Sequence, residues 1–156
     1  MMNNIDKTDI DILKILSVDG RKSLRNIGEM LKKSPITIKK HIDELEKKGI
    51  IRDYSAQINY EKLGYEIIAL IELTISKGKM LEVEKEIAQN PNVFGVYDVT
   101  GEYDAILLAR FKKREALSEL VKVINSNEYV VRTNTHLILN VIKEGTNLAE
   151  LMEKEY

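Results

Sequence analysis

Apolar residues recur at helical spacing through the first third of the chain, then switch repeatedly between strand and helix spacing. Asp6 or Thr8 opens a helix in which Asp9, Ile12, Leu13 and Leu16 share one face, and Asp19-Gly20 ends it in a turn. Ser23 caps a second, short helix with Leu24, Ile27 and Leu31 on one side. Ser34-Pro35 is the sharpest boundary, an N-cap followed by proline at the first helical position, where a missing N–H costs no helical hydrogen bond. Ile38, Ile42 and Leu45 then stack inward, and Gly49 is placed to close the third helix in a left-handed cap.

The outer face of that third helix carries Ile36, Thr37, Lys40, Asp43, Glu44 and Lys47, with Lys39 and His41 on its flanks. A short helix, a tight turn and a helix with a polar, partly basic outer face match the helix-turn-helix pattern, in which the last helix enters the major groove. The pattern predicts base-edge contacts from Ile36, Thr37 and Lys40, with Ile36 suited to a thymine methyl. Lys39, His41 and Lys47 are expected at phosphates, and Ser34 belongs to the same DNA-facing set. The pattern equally describes a three-helix bundle that uses Lys and Glu for solubility and simply leaves Ile36 exposed.

Ile50, Ile51, Tyr54, Ala56 and Ile58 suggest a short extended segment, a wing or connector leading to Leu63-Gly64. The expected organisation is a DNA-binding domain over 1–58, a connector over 59–65 and a second domain over 66–156. In the second domain, Ile67 to Ile75 reads as a strand that ends at Ser76-Lys77-Gly78-Lys79. A helix through Leu81, Val83, Ile87 and Ala88 stops at Asn90-Pro91. A hairpin around Gly101 follows, joining a strand through Val93, Val96, Tyr97 and Val99 to one over Ile106 to Phe111. A helix from about Glu115 to Asn125 precedes a last strand, Val130 to Ile142, in which Val131, Thr133, Thr135, Leu137, Leu139 and Val141 alternate with Arg132, Asn134, His136, Ile138, Asn140 and Ile142. The fold class is therefore α+β: a winged helix-turn-helix followed by a ferredoxin-like βαββαβ domain, with Thr146 to Tyr156 as a final amphipathic helix. One face of such a sheet is left without helices. Ile138 and Ile142 make it partly apolar, which predicts sheet-to-sheet dimerisation.

Charge sharpens the division. The net charge is only -1, yet residues 1–52 hold 12 Lys+Arg against 8 Asp+Glu, while residues 53–156 hold 12 against 17. The first third is thus the part suited to a polyanion, because neutralising phosphates drives non-specific nucleic-acid binding. The absence of cysteine excludes disulfides and thiol chemistry, and two distant histidines supply no tetrahedral metal shell without several carboxylates. The opening MMNNIDKTD lacks a signal peptide's basic and apolar stretches, and no apolar run approaches the roughly 20 residues of a membrane span, so a cytoplasmic protein without membrane contact is expected. Heavy use of Lys, Glu and Ile is a thermophile's habit.

Several separated motifs now agree. Asp6, Asp9, Ile12-Leu13 and Leu16, then Asp19-Gly20-Arg21, Ser34 through Leu45, Gly49-Ile50-Ile51, Leu63-Gly64 and Gly101-Glu102-Tyr103-Asp104 resemble, in that order, the Lrp/AsnC family of bacterial and archaeal regulators. The resemblance runs over nearly the whole chain. It implies homodimers, often assembled into octamers, that bind a palindromic double-stranded DNA operator and respond to an amino acid or similar metabolite, with no cofactor and no catalytic residue. It assigns the effector to Thr100, Gly101, Glu102 and Asp104 in the hairpin and to Thr133, Thr135 and His136 on the last strand. The chemistry is reasonable by itself: Gly101 permits close approach, turn N–H groups receive a carboxylate, and Asp104 pairs with an ammonium.

Two positions depart from the family pattern. His41 stands where an Arg is usual, and Gly28 stands where Ala is usual, at about 1 kcal/mol in helix propensity unless close packing requires it. Two other functions fit the architecture. The sirohaem decarboxylases share the two-part fold, but they depend on histidines and arginines around a tetrapyrrole, and this chain has only His41 and His136 and no Trp. A metabolite-binding module that uses its helix-turn-helix only for assembly would show no salt-dependent affinity for DNA.

Overall fold

The computed structural model describes residues 5–76, 78–145 and 148–153. Residues 1–4, Lys77 of the predicted turn, and Thr146, Asn147 and 154–156 of the predicted tail helix lie outside them. The chain forms two compact units, one running to Gln57 and including the tail from Lys143, the other spanning Ile58–Ile142.

In the first unit, α1 (Lys7–Val18), α2 (Leu24–Leu31) and α3 (Pro35–Lys47) start one residue after the side chains that cap them. Asp6 accepts the Asp9 N–H at 2.9 Å and Asp9 accepts the Asp6 N–H at 3.0 Å, a capping box in which aspartate replaces the usual glutamate. Ser23 accepts the Asn26 N–H and Ser34 the Thr37 N–H, each at 3.1 Å. Gly49, at φ 68°, ends α3, and the Ile50 N–H reaches back to the Leu45 carbonyl at 2.9 Å. Ile12, Ile27, Ile38, Ile42 and Leu45 form one buried cluster, so each helix contributes its apolar stripe to a shared core. Each such side chain stabilises the unit by about 1.5–3 kcal/mol.

The turn between α2 and α3 is tight. Lys32 closes α2 in the left-handed conformation (φ 54°), and the Lys33 N–H returns to the Gly28 carbonyl at 2.9 Å. A Cβ on Gly28 would lie 2.6 Å from the Lys33 carbonyl oxygen. Gly28 is therefore required by the chain folding over it, which offsets its poor helix propensity.

Two differences from the sequence reading follow from packing. Residues 52–59 pair into no strand; instead, the Tyr54 hydroxyl donates to Glu46 on α3 at 2.9 Å. Partial burial first, and then Glu46, push the Tyr54 hydroxyl up to about 12. The tail groups with the first unit rather than continuing the second, because α6 (Leu148–Glu153) lies against α1.

The second unit runs β1 (Ile67–Ile75), α4 (Met80–Ile87), β2 (Val93–Asp98), β3 (Ala105–Phe111), α5 (Arg114–Ser126), β4 (Val130–Ile138), after a 3-10 turn at Glu61–Leu63. The sheet is antiparallel, in the order β2-β3-β1-β4. Ala69, Ile71, Leu73 and Ile75 of β1 join Ala105, Leu107, Ala109 and Phe111 of β3 in a core closed by Val83, Ile87, Leu120 and Ile124 of the helices. Since directly paired residues share a face, Ile68, Leu70, Ile106, Leu108 and Ile138 point to the opposite side, where Glu72, Asn134 and His136 interrupt them.

Alternation predicts β4 as far as Ile142, and the structure ends it at Ile138. Ile138 pairs with Ile68, and β1 begins only one residue earlier, so the rest of the segment has no ladder partner. Leu139 and Ile142 accordingly stand almost wholly in solvent, at 90% and 93% exposure.

Gly28→Ala should destabilise the first unit by about 1–3 kcal/mol, because the added methyl meets a backbone oxygen rather than a flexible side chain. Thermal unfolding followed by circular dichroism checks this; an unchanged midpoint would mean that the turn opens without cost.

Candidate nucleic-acid interface and effector region

The DNA-facing set from the sequence falls on the first two turns of α3 and on its last turn. Ile36 is 83% exposed, an apolar side chain held in water on a helix whose neighbouring Ile38 is fully buried. Ser34 and Thr37 hydrogen-bond to each other through their hydroxyls at 2.9 Å as well as through the cap. Lys40 and Lys47 are exposed, and Lys39 pairs with Asp43 one turn on. Both partners of that pair are more than half exposed, so water screens it and a phosphate can displace the carboxylate at little cost.

His41 is placed differently from its neighbours. Its Nδ1 lies 2.7 Å from Asp9 Oδ1, and its side chain is only 22% exposed. Asp9, 6% exposed, is the buried charged residue of the first unit's core among the described residues. One of its oxygens serves the α1 cap and the other faces His41, so a single carboxylate ties the start of α1 to the middle of α3. Asp6, Asp9 and His41 bring three ligating atoms within 4.8 Å of one another, but the capping box already engages both carboxylates. The Asp9 N–H bond, offset by slight desolvation, and then His41 hold the Asp6 carboxyl below its ordinary range. The sequence shows Asp9 only as a polar residue on an apolar face; the histidine that answers it is 32 residues away.

In the second unit the predicted effector residues divide among four places. Thr100, Gly101 and Glu102 form the exposed tip of the β2–β3 hairpin, with Gly101 at φ 130° and open space where a Cβ would sit. Asp104 lies at the foot of the loop and is already engaged. Its N–H donates to the Leu73 carbonyl and its Oδ2 accepts the Ile75 N–H, both at 2.8 Å, at the bulge where β1 and β4 shift register. Thr133 and Thr135 pair with Leu73 and Ile71 and so lie on the helix-covered face, where Thr133 donates to Asn125 at 3.0 Å. His136 lies on the other face.

Three residues not singled out by the sequence reading complete this arrangement. Arg132 reaches from β4 to Glu102 at 2.9 Å, an exposed pair, and lies over the Tyr103 ring at 4.9 Å. Glu72, at the centre of β1, accepts from Asn134 at 2.8 Å and lies 3.0 Å from His136 Nε2. His136 first, and then Asn134, lower the Glu72 carboxyl from its ordinary value. The alternation of β4 places Arg132, Asn134 and His136 together, but only the strand register sets Glu72 opposite them.

Two predictions test these interactions. His41→Ala strands one oxygen of buried Asp9 and should lower stability by about 1–3 kcal/mol in denaturant unfolding. A loss below about 0.5 kcal/mol, the size of an ordinary surface change, would reduce Asp9 to a cap. The Glu72 cluster's contribution to stability should be complete above the ordinary glutamate range and fade as pH falls through the lowered value, because the folded state holds the ionised form. In His136→Ala the Glu72 titration, followed by NMR of its carboxyl carbon, should move upward; an unmoved curve would remove His136 as the cause.

Comparison with known proteins matches the two units to separate family models. Residues 5–52 match a winged helix-turn-helix DNA-binding model, and residues 68–148 match the Lrp/AsnC ligand binding domain. An uncharacterised HTH-type transcriptional regulator of Pyrococcus furiosus is 42% identical over 144 residues, which covers 92% of this chain and 97% of the relative. The HTH-type transcriptional regulator FL11 of the same organism is 35% identical, covering 95% of this chain and 98% of its own. Among solved structures, a transcriptional regulator of Neisseria meningitidis in complex with L-Met has a TM-score of 0.83 at 30% identity, over 92% of this chain and 96% of that one. Escherichia coli AsnC, at 22% identity, shares the fold with a TM-score of 0.86, over 92% and 98% of the two chains.

Proposed function

The chain belongs to the Lrp/AsnC family of DNA-binding transcriptional regulators, and from that premise we propose that it binds a palindromic operator as a homodimer or as an octamer built of four dimers, under control of an amino acid or similar metabolite. The observation that carries the DNA reading is α3. It is capped by Ser34, anchored by Ile38, Ile42 and Leu45, tied to Asp9 through His41, and presents Ile36 and Lys40 to solvent. Such a helix meets base edges without rearranging. Ile36, Thr37 and Lys40 read bases, while Ser34, Lys39 and Lys47 face the backbone, and His41 supports them chiefly by positioning α3. In a dimer the two α3 helices enter major grooves about 34 Å apart.

The effector reading rests on the hairpin tip. Thr100, Gly101 and Glu102 offer an exposed turn with room beside Gly101, and a structural relative carries L-Met. Asp104, bound to the Ile75 N–H through one oxygen, shapes the loop and presents its other oxygen to an ammonium group. Thr133, Thr135 and His136 belong to the same proposed site, on opposite faces of one edge strand. The partly apolar sheet face around Leu70, Leu108 and Ile138 supports dimerisation through the second unit. None of the described helices is long and apolar enough to cross a membrane, which is compatible with action in the cytoplasm. The relatives named above are regulators rather than enzymes, which favours a binding role over the sirohaem decarboxylase reading.

Selection of bound fragments from a genomic DNA pool, with affinity followed across salt concentration and repeated with each amino acid, tests the whole proposal. A palindromic site with a steep salt slope, shifted by one amino acid, is the expected result. Lys40→Ala should weaken operator binding by about 1–3 kcal/mol and relax preference at one base position. Equal affinity of the variant would remove α3 from readout, and absence of any salt-dependent binding would leave the metabolite-module reading.

A further inference from the structure

Ile68, Leu70, Ile106, Leu108 and Ile138 share the helix-free face of the sheet with one carboxylate, that of Glu72 on the central strand. Its side chain is only 21% exposed even with that face open. Asn134 donates to its Oε2 at 2.8 Å, and His136 Nε2 lies 3.0 Å from the same oxygen. His136 Nε2 is also 2.9 Å from Asn134 Nδ2. A bare Nε2 accepts from Asn134 and leaves the carboxylate's charge unanswered, whereas a doubly protonated ring donates to Glu72 and cancels that charge. The other charged or titratable side chains of the four strands on this face are engaged or set apart. Arg132, beside Thr74, is paired with Glu102 and lies over Tyr103. Arg110, beside Ile68, lies against the Tyr60 and Phe94 rings. Tyr97 stands beyond Ile106 on β2. Of the groups in hydrogen-bond contact with Glu72 among the described residues, His136 is the one that can become a cation.

We propose that a second copy of this chain covers this face and that each Glu72–His136 pair takes up a proton as it does so, which makes dimerisation tighten as pH falls through the neutral range. The inference rests on the reading that the chain dimerises through the sheet. The occupant that fits is the face itself. On it β1 carries an acid, Glu72, and β4 carries only bases, Arg132 and His136, so two identical faces answer each other in charge as well as in aliphatic surface. Covering the face takes water from Glu72, and an ionised carboxylate buried with no cation in contact is strongly disfavoured. The proton on His136 supplies that cation. The dimer therefore binds this proton more tightly than the separated chains do. Its contribution to association is complete below the ordinary histidine range and is lost as pH rises through the dimer's higher value.

Sedimentation of the full chain across the neutral pH range, without added metabolite or DNA, reads the dimer dissociation constant. A dimer that holds its two protons about one pH unit above the ordinary histidine value of about 6.5 should dissociate about 40-fold more readily at about pH 8 than at about pH 6. His136→Gln keeps a hydrogen-bonding side chain but takes no proton, and should flatten this dependence. Glu72→Gln removes the charge to be answered, and should flatten it while leaving the dimer tight at the alkaline end. NMR titration of the His136 ring in the assembled chain, assigned by its loss in His136→Gln, should show the proton held above the ordinary histidine value; this readout serves equally where the dimer is too tight to dissociate. A His136 titration at or below the ordinary value in the dimer would overturn the proton link and leave the dimer reading intact. A pH dependence that survives in His136→Gln would also overturn it, by placing the proton elsewhere, His41 being the other histidine. A chain that stays monomeric at every pH and concentration would remove the dimer reading and the proton link together.

Discussion

The position of β1 between β3 and β4 is the constraint on which the second unit depends. As the central strand it pairs on both edges, and one register fixes three things. It assigns Ala69, Ile71, Leu73 and Ile75 to the core, because a slip of one residue would turn each of them outward. It sets Glu72 opposite Asn134, within reach of His136. It also presents the Leu73 carbonyl and the Ile75 N–H to Asp104, so the foot of the hairpin loop is built on the end of β1. At the loop tip Arg132 reaches Glu102, an exposed pair that water screens, so the firm tie of the loop is the one at its foot.

The first unit reaches rigidity differently. Its core is small, five buried aliphatic side chains and their partly buried neighbours, and polar ties supplement it at the helix starts. The Asp6–Asp9 box and the His41 contact use one buried carboxylate twice, holding α1 and α3 together at a point where neither contributes apolar surface. The contact between His41 and Asp9 is short, and both side chains are largely removed from water. The glycine at position 28 follows the same logic: helix propensity is given up inside α2 so that the chain can fold back over it.

Exposed apolar groups remain after both cores are formed. Ile36 on α3, and Leu139 and Ile142 beyond β4, are more than four-fifths exposed. They lie where the proposed function would place a partner: duplex DNA at α3 and a second protomer beside the sheet.

The local signals in the sequence determined the elements. Ser23, Ser34-Pro35 and Gly49 mark helix ends by chemistry that acts within four residues, and they stand where the structure begins α2 and α3 and ends α3. The period of the apolar residues distinguished strands from helices for the same reason, since the face of a strand or helix depends only on near neighbours. The family motifs, each spanning a few residues, led to the regulator. Contacts over long separations were decided by the tertiary structure alone. The Asp9–His41 tie, the pairing of Glu72 with Asn134 and His136, and the end of β4 at Ile138 all depend on which segment becomes a neighbour. So does the division of Thr133 and Thr135 from His136, because the alternation of one strand does not say which of its faces the helices will cover.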